Sequence, residues 1–515
     1  MKRILAMILC LTMVLVVVLM AASCGKTPPE DTTKAPDGST PTQSNTDATT
    51  SSNPEDTTSG SDDSEDTSSE IPPETELDGL SKLPGYEDVD FRGQTFRIAA
   101  HNGASDQWAC DYEIYSEGTD TLSVAVRRRN DLMKSLYNCN IELISTDSPG
   151  SLALADVTGN QHTIDMYTGK YNMGDPTNRY NLASFNINFE NPWWDQTFVE
   201  TYTIKDSSGA DTMWACVGDF AVSAYRAAHA IIYNRTIYET AGISDTVNVY
   251  ELVKNKKWTM DKFIEMCKLA AKDNDGNSEF HYSEGDIMGW VRTGHATHGM
   301  HVASGLSIIT NENGTLKLDM TENAGAWNDV IDKAISVWSM QEGETLAYTT
   351  VHDAIKNGRA LFASEVIGTL EVVKDADVSL GLLPYPLYSE TQENYAHYVD
   401  NHLMYYVVPT SVPDIDMISD FMELLAYHSR YIVRSAWIDV YSYEYCSDVD
   451  SGDMLDIILD TRTYDPAYLL WIYEGDISGM ISSGKNNLTK WADRTAGTIQ
   501  QSLNNYIMTI TNANK

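Results

Sequence analysis

Three stretches gather side chains whose types and spacing could bind or react. "DNDGNSEFHYSE" (residues 273–284) sets Asp273, Asp275 and Asn277 at alternate positions and Glu284 at the twelfth, the spacing by which an EF-hand-like loop wraps calcium in oxygen ligands. Ser278 stands where the sharp turn of such a loop wants glycine, so a solvated acidic loop competes with this reading, and any calcium held there would be structural. "GHATHGMH" (294–301) spaces His295, His298 and His301 by three. Zinc would need them on one helix face, yet Gly294 and Gly299 interrupt the helix and no Glu follows His295. His295 is better placed to hydrogen-bond a ligand. "NPWWDQ" (191–196) joins Trp193, Trp194 and Asp195. The sequence contains no GxSxG or HExxH motif and no recognisable catalytic Cys signature, so no nucleophile announces itself. A carboxylate pair of a glycosidase could still hide among 74 acids, because folding sets its separation.

The elements that must position these groups follow from periodicity. Residues 91–100 alternate as a strand and break at His101-Asn102-Gly103; residues 122–137 repeat apolar positions as a helix; residues 140–144 read as a second strand. This β-α-β unit predicts a right-handed crossover onto a parallel strand, with functional loops at the strands' carboxyl ends. Residues 227–233 form an apolar strand. Thr259 caps a helix whose apolar face is Met260, Phe263, Ile264 and Cys267. Residues 354–362 lead from a helix into a strand, 380–386 form another that stops at two prolines, and the last third is mostly helical.

The ends and the composition bound the setting. Lys2 and Arg3, an apolar run from Ile4 to Met20, and Ala21-Ala22-Ser23 before Cys24 make a secretion signal ending in a lipoprotein-like box, with Cys24 as the lipidated residue. The competing reading is an uncleaved anchor. Residues 25–80 carry fourteen acidic residues against Lys26 and Lys34 and almost no aliphatic side chain, so they cannot offset chain entropy and form a disordered tether. The whole chain has a formal charge of −39, which argues against nucleic acid as a partner. An anionic ligand would need a local cationic pocket that no sequence pattern shows; a neutral one fits more easily. Cys110, Cys139, Cys216, Cys267 and Cys446 are odd in number and form no CxxC pair, so each is expected to be a small buried hydrophobe and not part of a disulfide framework.

The order and spacing of "IIYNRTIYETAGI" (231–243), "KKWTMDKFIEMCKLAAKD" (256–273), "IKNGRALF" (355–362), "VSLGLLPYPLYSETQENY" (378–395) and "MELLAYHS" (422–429) together resemble the family 1 extracellular solute-binding proteins of bacterial ABC importers, the maltose-binding-protein-like group. The resemblance implies an α/β, two-lobed periplasmic-binding-protein-like fold of class II with a hinge between lobes. It implies a signal peptide at 1–23, a lipidated tether at 24–85, one lobe from 86–215 and 356–396, and the other from 216–355 and 397–515. The implied activity is capture of a carbohydrate or other small solute by a monomer that delivers it to ABC permease subunits. The lipid would hold that monomer at the outer face of the cytoplasmic membrane, and neither catalysis nor a cofactor is needed. A surface glycoside hydrolase and a ligand-sensing module for a membrane signalling protein are the alternatives. A sugar needs aromatic platforms for its C–H faces and planar groups for its hydroxyls, and 29 Tyr and 11 Trp against 10 Phe favour rings with a polar handle. Candidate ligand-binding residues are Trp108 and Asp111 after the first strand, Trp194 and Asp195, and Asp219 at the expected crossover. Trp290, His295, Glu365 and Trp437 join them because the family places the corresponding segments at the cleft.

Overall fold

The computed structural model describes residues 77–513 apart from 106, 107, 171, 447, 471 and 473–475. Cys24, the signal and the tether up to residue 76 lie outside the described residues. The expected β-α-β unit is present: Gln94–His101 and Cys139–Thr146 run parallel, with Gln94 opposite Cys139 and His101 opposite Thr146. The intervening helix Thr121–Tyr137 starts at Asp120, whose carboxylate accepts the Ser123 amide, and stops at Asn138 in the left-handed conformation that asparagine tolerates. Met166–Gly169 lies parallel on the other side of Gln94–His101, and Tyr405–Val407 closes that edge antiparallel.

A second sheet has the order Gly343–Thr345, Met288–Arg292, Ala360–Val366, His229–Asn234, Leu380–Leu383. Its middle strands are buried along their whole length, as expected where helices cover both faces. Thr259 caps the helix Met260–Ala270, and that helix lays Phe263 on Phe362 with ring centroids 5.0 Å apart.

The pairing corrects the expected lobe boundaries. Ala360–Val366 and Leu380–Leu383 both pair antiparallel with His229–Asn234, so residues 356–396 bring their strands to the second sheet and not the first. Tyr405–Val407, expected in the second lobe, belongs to the first sheet. An apolar run shows that a strand is buried but not which sheet buries it, and that is why the sequence misled. Gly79 and Leu83, expected in the tether, belong to the fold: Leu83 is fully buried, its amide donates to the Tyr137 hydroxyl at 3.1 Å, and His428 donates to the Gly79 carbonyl at 2.7 Å.

The chain passes from the first sheet to the second between Cys216, which bridges Tyr406, and Ala228, which bridges Val399, and it returns along residues 399–406. Glu113 ties the two passing segments together, accepting the Ser223 amide at 3.0 Å and the Tyr406 hydroxyl. The helix Ile415–Ser429 then packs on the first sheet through Phe421, stacked 3.8 Å from Phe96. Asp450–Asp460 packs on Leu380–Leu383 of the second sheet. Among the described residues no helix is long and apolar enough to cross a membrane, and the five cysteines are buried and unpaired.

Candidate functional site

Where the passing segments meet, side chains from both sheets converge. Trp108, on the loop after Gln94–His101, has its ring 6.3 Å from Tyr348, the first residue of the helix Tyr348–Lys356 beside the second sheet. His402 lies 5.7 Å from the same indole and the Arg226 guanidinium 6.0 Å from it. With Ser223 and Asp400 these residues enclose a space of about 10 Å³, room for a single water. Arg226 is fixed by a two-pronged pair with Glu371 (3.0 and 2.6 Å) and by donation to the Cys110 sulfur at 3.0 Å.

Asp400 is the electrostatic centre. Burial pushes its carboxyl up, but the imidazoles of His229, His295 and His402 gathered around it outweigh burial and hold it well below the usual range. His295 Nδ1 sits 3.4 Å and His229 Nε2 3.6 Å from Oδ2, and His402 Nδ1 bonds Oδ1. Glu365 has the opposite fate. Fully buried, it is pushed up to about 8 by burial and then by the Asp400 charge, with the nearby Val366 amide and Thr293 hydroxyl pulling the other way. Burial thus favours the neutral form of Glu365, and the imidazoles favour the ionised form of Asp400. From His295 a line of rings continues through His298, 5.9 Å away, to Tyr468 and Tyr398, each about 5 Å from His298.

Folding takes up a proton on Glu365 between its unfolded pKa near 4.5 and its folded value near 8. The stability this gives is complete below about pH 4.5 and lost as pH rises through 8. Relative to wild type, Glu365→Gln is expected to gain on the order of 4 kcal/mol of unfolding free energy between pH 5 and pH 9. Urea denaturation across that range checks it. A difference independent of pH would show that Glu365 is ionised or hydrated in the fold.

A larger opening lies at the carboxyl ends of Gln94–His101 and Met166–Gly169, where parallel sheets place ligands. It holds about 660 Å³ and is lined by His101, Tyr167, Lys170, Arg179 and Tyr405 among others. Gly169 is required there, because a Cβ would meet the Tyr405 ring at 2.0 Å. The Met173 amide bonds the Leu469 carbonyl at 2.7 Å, tying this wall to the segment that carries Tyr468.

Of the expected residues, Trp108 and His295 lie in the converging cluster, Glu365 lies buried beside it, and Asp111, half-buried, accepts the Ser145 hydroxyl at 2.8 Å. The other five sit in the core. Trp194 donates to Glu423 at 2.9 Å. Asp195 caps the helix Gln196–Tyr202 and pairs with Arg462 at 2.7 Å. Asp219 pairs with Arg430 at 3.0 Å and bonds Tyr225. Trp290 donates to Ser364 at 2.8 Å, and Trp437 stacks on Tyr441 at 4.1 Å. Buried indoles and acids satisfy each other as readily as they satisfy a ligand. Tyr348, Asp400, His402 and Arg226 went unnoticed; the Asp-Asn-His turn before the Tyr405–Val407 strand was the signal available.

In the acidic loop, Asp273 and Asp275 come together with the buried Asp286, ligand oxygens within 4.8 Å of one another, while Asn277 donates to Glu284 at 3.1 Å. The trio thus differs from the expected set by Asp286, which accepts the Asn274 and His281 amides at 2.8 and 3.0 Å. Ser278 holds the positive φ of 68° that glycine would hold more cheaply. No such trio includes His295, His298 or His301 among the described residues; His301 bonds the Thr297 carbonyl instead.

No family model and no curated protein matches the sequence. Solved structures do. A cyclo/maltodextrin-binding protein complexed with maltotetraose aligns over 81% of this chain and 96% of its own, at 11% identity and a TM-score of 0.50. An ABC substrate-binding protein from Listeria monocytogenes in complex with cycloalternan aligns over 81% and 99%, at 12% identity and a TM-score of 0.45. A family 1 extracellular solute-binding protein from Bifidobacterium longum subsp. infantis aligns over 82% and 99%, at 13% identity and a TM-score of 0.44. With two sheets joined by adjacent passing segments, the chain has the α/β fold of the extracellular solute-binding proteins.

Proposed function

We propose that the protein captures an extracellular solute, a mono- or oligosaccharide, between its two lobes and delivers it to an ABC permease, held at the outer face of the cytoplasmic membrane by lipid on Cys24. The observation that carries this is the meeting of Trp108 from the first sheet's loop with Tyr348 from the second lobe, beside Asp400 on the passing segment. Separation of the lobes about residues 216–228 and 399–406 opens that gap to a sugar face, and reclosure encloses it. The structural relative complexed with maltotetraose supports a glycan as ligand.

Melting the protein with a panel of mono- and oligosaccharides tests the reading. The right sugar at a hundred times its Kd raises the unfolding free energy by about 2.7 kcal/mol and is recovered intact. Absence of any shift across the panel would reject a carbohydrate ligand. One observation favours a second reading, hydrolysis: Glu365 and Asp400 are a carboxyl pair whose pKa values are driven apart, as in an acid and its partner. Both are almost wholly buried, which favours a binding role.

A further inference from the structure

We propose that Glu371, acting through Arg226, is a positioning residue for the Trp108 ring, so that a second-lobe carboxylate sets the first-lobe platform on which the solute stacks; this rests on the solute-binding reading above. The loop that carries Trp108 packs apart from the main core. Ala109 and Cys110, the next two residues, form a small apolar cluster with Met404, with Tyr112 against it, and the indole itself is half-buried. A ring on so small a cluster takes its position from the polar contacts around it.

Arg226 supplies such contacts from the passing segment. Its Nη1 donates to the Cys110 sulfur at 3.0 Å, and the same thiol donates to the Trp108 carbonyl at 3.8 Å. The guanidinium carbon stands 6.0 Å from the indole centroid, the outer reach of a cation–π attraction. Glu371, on the second-lobe helix Thr369–Val373, holds the guanidinium in turn: Arg226 Nε and Nη2 donate to its two oxygens at 3.0 and 2.6 Å. Tyr441 donates its hydroxyl to the oxygen that Nε also uses, and the Gly368 amide donates to the Arg226 carbonyl at 3.0 Å. Both the carboxylate and the arginine backbone are thereby fixed to the second lobe. A planar fork that meets a carboxylate with two bonds fixes direction as well as distance. Glutamine in place of Glu371 would keep one acceptor oxygen and turn its amide donors on the guanidinium donors. The contacts therefore run from Tyr441 through Glu371, Arg226 and Cys110 to Trp108, and Arg226 and Trp108 border the same gap.

Two measurements on the full-length protein test the assignment. The first needs no ligand: with fluorotryptophan incorporated, the fluorine resonance lost in Trp108→Phe is that of Trp108. Glu371→Gln is expected to move or broaden it while the resonances of the buried Trp193, Trp258 and Trp491 stay in place. The second titrates maltose, maltotriose and maltotetraose and takes the tightest binder through a double-mutant cycle. Glu371→Gln is expected to weaken binding about tenfold, and Arg226→Lys, which keeps the charge but loses the fork, by a similar factor. In a Trp108→Ala background Glu371→Gln should cost less than about twofold. An ion pair that serves stability alone would lower the melting temperature of Glu371→Gln, leave the Trp108 resonance in place and weaken binding equally in both backgrounds; an unmoved resonance or an equal loss overturns the inference while leaving a solute-binding protein. If none of these sugars binds, the carbohydrate reading loses its support and the fluorine resonance alone decides: moved, Glu371 positions the ring for another solute; unmoved, the inference falls as well.

Discussion

Replacing Glu423 by leucine is expected to cost roughly 4 kcal/mol of unfolding free energy, because it leaves buried donors without an acceptor at about 1–3 kcal/mol each. Glu423, on the helix Ile415–Ser429, is fully buried. One of its oxygens accepts Trp193 Nε1 at 2.9 Å and Asn191 Nδ2 at 2.5 Å, and the other accepts Trp194 Nε1 at 2.9 Å. The carboxylate thus pins the "NPWW" turn to the first lobe. Burial pushes its pKa up, and the three donors pull against that shift. Trp194→Phe leaves one buried Glu423 oxygen without its donor and should cost about 2 kcal/mol. Urea denaturation of both variants checks the ordering, and a Glu423→Leu protein within 1 kcal/mol of wild type would refute it.

Trp108→Ala is expected to do the reverse, weakening binding of the stabilising sugar by roughly 30- to 100-fold, about 2–3 kcal/mol, with a small change in melting temperature. The indole is only half-buried and borders the gap shared with Tyr348, so under the proposed function its face meets the ligand and is not spent on the core. Tyr348→Ala should weaken binding in the same direction. Calorimetric titration beside melting curves reads both effects. A Trp108→Ala protein that melts far lower yet binds normally would make the ring structural.

What the sequence disclosed was local. Thr259 as a cap, the β-α-β unit and the burial of the strands all follow from neighbours in the chain, and each stands where its pattern places it. Trp108 stood out as a ring on the loop after a strand and His295 through the family resemblance, and the structure brings both to the cluster around Asp400. Partnerships across long separations were not visible: Glu423 and Trp193 are 230 residues apart, and nothing in "NPWWDQ" indicates that its acceptor waits on a distant helix. The same limit hid Asp400 beneath its histidines. It also moved Ala360–Val366 to the wrong lobe, since a strand buried on both faces carries no mark of its partners.

The central claim, capture of a glycan without chemistry, is tested most directly by titrating the protein calorimetrically with the sugar that stabilises it most and then weighing the recovered ligand. A single site per chain and a ligand of unchanged mass is the predicted result. A shortened glycan would contradict it and turn Glu365 and Asp400 into a catalytic pair.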